Sequence, residues 1–182
     1  MTDAAPAQQL LIEAFDRIRE LVINSTDGLT SEIGSYRPDD QSNSISWLIW
    51  HLTRIQDDHL AHLAKADQVW NRWSEEFKLP FDHRATGYGQ SAEEVGMVRV
   101  DGQLLGGYHR DVHELTRRYL DGITVEELGR VVDTRWDPPV TAAVRLVSVI
   151  GDALQHLGQA AYVRGLAERR ASAWHQSGAA DR

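Results

Sequence analysis

Apolar positions along the chain recur at helical spacing. From Gln8 to about Asn24, Leu11, Phe15, Ile18 and Val22 fall four, three and four residues apart and define one face of a helix. Thr26-Asp27-Gly28 ends it, and the polar stretch from Ser31 to Ser44, which contains Pro38, reads as a connection. A second helix opens at Asn43 or Ser44, either of which accepts a hydrogen bond from a free backbone N–H, and runs to about Lys65. Its stripe is Leu48, Leu52, Ile55 and Leu63, with Trp47 and Trp50 adding bulk. Val69 to Ser91, with Pro80, Gly87 and Gly89, predicts a short helix and then a long loop, and Ser91 to Glu94 has the spacing of a capping box. A third helix spans about Asp101 to Leu120 on Leu105, Tyr108, Val112, Leu115 and Tyr119. Thr124 to Glu127 repeats the capping-box spelling, and Asp137-Pro138-Pro139 excludes helix interior. The last helix runs from about Thr141 to Arg169, about 40 Å at the α-helical rise.

These elements predict an all-α four-helix bundle with short connecting helices, at least one long crossover and no strand. One domain is expected over residues 1–182, with a core of about 8–168 and a tail, 171–182, that frays. Gly151, Gly158 and Gly165 recur every seven residues on the last helix. Each costs roughly 1 kcal/mol against alanine there, so the spacing predicts a face where another backbone approaches closely.

Charge and composition remove several functions. Lys+Arg number 19 against 27 Asp+Glu, a net charge of −8, which opposes non-specific binding to nucleic-acid phosphates. The chain has no cysteine, so a disulfide framework, a thiolate metal site and a cysteine nucleophile are excluded. No apolar run approaches a membrane span, and no basic segment precedes an apolar run at the N-terminus, so a soluble cytoplasmic protein is expected.

The remaining reagents are eight histidines. His51 lies on the apolar side of the second helix, between Leu48 and Ile55. Asp152 and His156 are four apart on the last helix and point the same way, among Val149, Ala153 and Ala160. A carboxylate removed from water there is costly unless compensated, and a divalent cation shared with two imidazoles would compensate it. Exposure to solvent, or a buried Asp–His hydrogen bond, accounts for the same spacing. His109 and His113 form a rival pair on the third helix, but Arg110, Asp111 and Glu114 flank them and the stripe turns them to its edge. They are expected on a solvated face. Asp58 and His62 continue the His51 stripe and could line the same cavity, while Asp57 and Asp58 read equally well as surface acids. Gly87-Tyr88-Gly89-Gln90-Ser91-Ala92 spells a dinucleotide fingerprint, but Pro80 to Thr86 before it is no buried strand. It reads as a loop, a candidate rim or lid of a pocket.

Two segments carry a family resemblance. Asn43-Ser44-Ile45-Ser46-Trp47-Leu48-Ile49-Trp50-His51-Leu52 resembles the second-helix motif of the DinB-like superfamily, and His156-Leu157-Gly158-Gln159-Ala160-Ala161-Tyr162-Val163-Arg164-Gly165 resembles its last-helix motif. The superfamily comprises bacterial four-helix metal proteins, among them mycothiol-dependent maleylpyruvate isomerase and the mycothiol and bacillithiol S-transferases. The stretch from Trp136 through Val147 to Arg164 is similar to actinobacterial members, and the resemblance covers about residues 8–168.

The resemblance implies a divalent metal held by His51, Asp152 and His156. Many members have histidine where this chain has Asp152, and the isomerase branch has glutamate. Aspartate keeps the carboxylate on a shorter reach. Imidazole ligands imply zinc first, with nickel or iron as alternatives, and argue against magnesium or calcium. Three protein ligands leave an open position, as in catalytic sites. The implied function is a thiol S-transferase that takes mycothiol as cosubstrate and conjugates it to an electrophile, a detoxification chemistry. Trp47, Asp58, His62 and Gln159 are the candidate substrate-binding residues. Arg54, Arg84 and Arg145 could hold polar groups of the thiol, although arginines on a bundle are more often solvated. A thiol-dependent isomerase, a metal-dependent hydrolase and a non-catalytic metal-binding stress protein stand as alternatives. The partners implied are the small thiol and the electrophile, with neither nucleic acid nor membrane, and a homodimer is carried as an expectation.

Overall fold

The computed structural model describes residues 4–180, with side chains described through residue 170. The expected frayed tail lies outside the residues whose side chains are described. Four long helices form the bundle: α1 (Ala5–Thr26), α3 (Ile45–Ala64), α6 (Gly102–Asp121) and α8 (Ala142–Ala180). Short helices connect them: α2 (Ser31–Gly34), α4 (Trp70–Phe77), α5 (Ala92–Met97) and α7 (Val125–Gly129). α1 packs on α6 and α8, and α3 packs on the same two helices, so the order around the bundle is α1, α6, α3, α8. The connections from α1 to α3 and from α6 to α8 therefore cross diagonally.

Local chemistry sets the helix starts. Ser44 accepts from the Trp47 N–H, Asp101 from the Leu104 N–H and Thr124 from the Glu127 N–H. Ser91 and Glu94 form the reciprocal capping box that their spacing predicts. α3 is the most enclosed helix: Ile45, Leu48, Ile49, Trp50, Leu52 and Leu60 are all essentially inaccessible to solvent. It meets α6 on one side and α8 on the other, so it buries polar as well as apolar positions.

Four expectations are corrected. First, Val131–Asp133 and Val140–Thr141 form a two-stranded antiparallel ladder, β1 and β2, across the Asp137-Pro138-Pro139 turn. Strands of three and two residues are too short for a period-two alternation to register. Second, the segment read as a connection from Ser31 contains α2, a single turn capped by Thr30. Third, no other backbone meets the glycines of α8. A Cβ at Gly151 or Gly158 would have nothing within 4 Å, and one at Gly165 would meet only Arg169 of the same helix. Close approach occurs instead on α6, where a Cβ at Gly102 would lie 2.0 Å from the Thr26 carbonyl oxygen. Fourth, His109 and His113 are buried, at 1% and 6% exposure. α1 covers that side of α6, and the close approach permitted at Gly102 seats the end of α1 there. Arg54, weighed between holding polar groups of a thiol and the solvated position commoner for such an arginine, is fully buried.

Candidate metal centre

The face of α3 toward α8 carries His51, and the face of α8 toward α3 carries Asp152 and His156. Their potential ligand atoms all lie within 4.8 Å of one another. The spacing of four residues on α8 places Asp152 and His156 one turn apart, with Oδ1 of Asp152 3.4 Å from Nε2 of His156. The His51 and His156 rings meet edge to face at 4.9 Å. His51 is buried, while Asp152 and His156 are half-buried.

Each imidazole is held by its other nitrogen. Nδ1 of His51 lies 2.6 Å from the Thr86 carbonyl oxygen, which only accepts, so Nδ1 carries the proton and Nε2 is left with its lone pair. Nδ1 of His156 lies 3.0 Å from the Gln159 amide oxygen, so in the neutral ring Nδ1 carries the proton and the lone pair of Nε2 faces Asp152. Orientation of a ligating imidazole through its second nitrogen is the arrangement that metal sites use. Oδ2 of Asp152 is buried and has no hydrogen-bond partner. A buried carboxylate oxygen left unpaired carries a desolvation cost that a cation would remove. Two oriented lone pairs and one orphaned carboxylate oxygen fit a divalent metal, and imidazole with carboxylate suits zinc, iron or nickel.

The protonation of the two histidines diverges. Burial pushes the His51 pKa below its usual 6.5, against the opposing pull of the Thr86 carbonyl. The hydrogen bond to Asp152 raises that of His156, and burial opposes it. Burial thus favours the neutral form of His51, whereas the contact with Asp152 favours the protonated form of His156.

The loop from Ala85 to Gln90 forms one wall. Gly87 adopts φ 95°, and a Cβ there would lie 2.6 Å from Nδ1 of His51, so the position needs glycine on both counts. Arg54, three residues after His51, donates from Nε to the Ala85 carbonyl at 3.0 Å. Two successive carbonyls of the loop are therefore tied to α3. Arg54 is itself fixed by Gln68 at 2.9 Å, by the Tyr108 hydroxyl at 3.3 Å and by a buried ion pair with Asp57 at 3.6 Å. Asp57 accepts from the N–H groups of Val69 and Trp70 at the start of α4 and from the Tyr108 hydroxyl. Burial raises its pKa and these hydrogen bonds pull it down.

The other predicted residues divide. Trp47 stacks on His51 with ring centroids 4.6 Å apart and donates to the Gln90 side chain at 2.7 Å. Gln159 adjoins His156. Asp58 and His62 are not brought to the cluster: Asp58 accepts from Gln68 at 2.7 Å, and His62 is exposed near the end of α3. Thr86 is not among the residues the sequence singles out, and the roles of Gly87 beside His51, of Gln90 on Trp47 and of Arg54 as the anchor of the loop have no signal there. The loop spelling around Gly87 marks a candidate rim, but no local pattern ties its carbonyls to α3.

A diagonal four-helix bundle with an Asp-x-x-x-His pair facing one histidine across its seam defines a protein of the DinB-like class. The chain belongs to the mycothiol-S-transferase family, whose family model matches residues 10–168. It is similar to a solved crystal structure of a conserved protein from Enterococcus faecalis. The two are 36% identical, the match covers 92% of this chain and 98% of that chain, and the TM-score is 0.81. No curated protein matches it. Among the described residues, no helix is long and apolar enough to cross a membrane.

Proposed function

We propose that this protein is a divalent-metal-dependent thiol S-transferase that joins a low-molecular-weight thiol, mycothiol, to an electrophile in the cytoplasm. The observation that carries the reading is the orphaned carboxylate oxygen of Asp152 facing two imidazoles whose Nδ1 atoms are already engaged. His51 and His156, through Nε2, and Asp152 would hold the metal, with zinc favoured by the donor set. A divalent metal held there would supply the Lewis acid that keeps an incoming thiol deprotonated at neutral pH.

With both imidazoles neutral the three side chains contribute one negative charge, so a divalent metal held there would keep a net charge of +1, which an anionic partner balances better than a neutral one. The chain has no cysteine, so the sulfur must be imported. Deprotonation alone has limited effect. A thiol of pKa near 8.5 is already a few per cent ionised at pH 7, and full ionisation gains at most about 30-fold. Further acceleration comes from holding the electrophile in line with the sulfur. The Trp47 indole and the Ala85–Gln90 loop supply the rigid walls for that, since both are tied to α3 by hydrogen bonds or stacking.

The test is turnover of a fluorogenic or disulfide electrophile with mycothiol, with glutathione and with no thiol, in metal-loaded and metal-free protein. Turnover is expected only with metal and thiol together, and faster with mycothiol. Equal rates with and without metal, or no acceleration by any thiol, would overturn the reading.

A further inference from the structure

A neutral imidazole can carry its proton on either nitrogen, and the surroundings of His51 pull in both directions. The Thr86 carbonyl, 2.6 Å from Nδ1, holds the proton there. The carboxylate of Asp152, in the same cluster of ligand atoms within 4.8 Å, draws it by charge toward Nε2. With the proton on Nε2 the ring has no lone pair to offer on that side. Whether His51 can bind a metal through Nε2 therefore depends on where the Thr86 carbonyl stands.

Thr86 lies in the long connection between α4 and α5, residues 78–91, which contains no helix or strand to hold it. Three side chains of α3 reach this connection: His51 at Thr86, Trp47 at the Gln90 side chain, and Arg54 at the Ala85 carbonyl. His51 cannot position its own acceptor. Trp47 holds the far side of the turn, beyond Gly87 and Gly89, both at positive φ. Arg54 holds the peptide immediately before Thr86, with Nε 3.0 Å from the Ala85 oxygen. Its guanidinium is rigidly placed: Gln68 and the Tyr108 hydroxyl accept from Nη1, Asp57 pairs with it, and its plane lies over the Trp70 ring at 4.9 Å. Asp57 is in turn fixed by the first N–H groups of α4. Arg54 and Asp57 are both fully buried. Such a pair is often replaced by apolar side chains with no loss of stability, so stability alone does not account for it. What apolar side chains could not supply is a fixed donor aimed at the Ala85 carbonyl.

We propose that Arg54 is a positioning residue of this centre: by holding the Ala85 carbonyl it fixes the neighbouring Thr86 carbonyl, which keeps the His51 proton on Nδ1 and leaves the Nε2 lone pair open. The consequence for metal binding rests on the reading of His51 as a ligand, whereas the effect on the proton does not. Arg54 touches neither the three ligand side chains nor the space between them. It acts through two successive peptide groups and the ring of His51, as outer partners of ligating histidines do.

The experiment reads the His51 tautomer by long-range proton–nitrogen NMR on the metal-free full chain, and zinc affinity by competition with a chromophoric chelator. The unmodified chain should show His51 with its proton on Nδ1 alone. Arg54→Lys keeps the charge opposite Asp57 but lacks the Nε that holds Ala85. It should populate the Nε2–H form and weaken zinc binding on the order of tenfold to a hundredfold. The double variant Arg54→Met, Asp57→Asn leaves no unpaired buried charge and should shift the tautomer in the same way should the single variant fail to fold. Tyr108→Phe loosens the same network without touching the bond to Ala85, so it should lower the unfolding midpoint while tautomer and zinc affinity stay as they were. An Nδ1–H ring retained in the Arg54 variants, native zinc affinity in them despite a shifted tautomer, or equal losses in Tyr108→Phe and Arg54→Lys would each overturn the proposal. A tautomer shift in a chain that binds no zinc at all would support the positioning role and overturn the metal reading instead.

Discussion

The carbonyl oxygen of Thr86 stands 2.6 Å from Nδ1 of His51, across 35 positions of sequence. The contact fixes both the ring's orientation and the nitrogen that carries the proton. It exists because Gly87 has no side chain, since a Cβ there would fall 2.6 Å from the same nitrogen. Gly87→Ala should therefore turn His51 and weaken metal binding on the order of tenfold to a hundredfold, the usual cost of losing an outer partner. Helical circular dichroism should stay unchanged, and competition titration with a chromophoric chelator measures the loss.

His51→Ala and His156→Ala should each lower metal content below one ion per chain while the bundle stays folded. Asp152→Asn is the more informative variant. It keeps the shape and removes the charge, so metal affinity should fall sharply. Metal-free stability should change by no more than about 1 kcal/mol, because Asp152 is half-exposed. Metal analysis paired with thermal unfolding in chelator separates the two effects.

Metal loading should depend on pH through His156. Its pKa is raised above the usual 6.5 by Asp152 and, to a lesser degree, by Gln159. A proton therefore competes with the metal at higher pH than an unperturbed imidazole would allow, and affinity should begin to fall above pH 6.5 as the solution is acidified. Gln159→Leu removes one of the hydrogen bonds that raise this pKa, so the midpoint of the loading curve should move to lower pH. An unmoved midpoint would show that another ligand governs the competition.

His109 should make the protein acid-sensitive. Its folded pKa is about 3, against 6.5 for the free side chain. The unfolded chain takes up a proton on this residue first, so it binds more protons than the folded chain between these values, and stability rises with pH. The contribution is complete above pH 6.5 and is lost progressively down to about pH 3, with a slope of up to about 1.4 kcal/mol per pH unit. His109→Gln should flatten denaturant midpoints measured across that window.

The double variant His109→Ala, His113→Ala should keep its full metal content, because these residues lie on the seam away from His51. Its stability should fall by about 2–5 kcal/mol, since two buried rings are removed. Chemical denaturation and metal analysis on one preparation check both statements.

Helical periodicity reports which side chains share a face, and every relationship of that kind was legible in the sequence. The four long helices, the caps at Ser44, Asp101 and Thr124, and the pairing of Asp152 with His156 one turn apart all follow from spacing and side-chain chemistry. Periodicity does not report which face meets which. By spacing, His109 and His113 equal Asp152 and His156. They differ because the diagonal connections set α8 beside α3 and α1 over α6. Adjacent Asp57 and Asp58 differ for a similar reason. α4 turns its first N–H groups onto Asp57 and buries it, while Asp58 stays at the edge. The wall at Thr86 and Gly87 likewise depends on Arg54 and His51 holding two carbonyls from 31 and 35 residues away. Such contacts form only after the chain has closed on itself, and their distance in sequence leaves no local pattern to read.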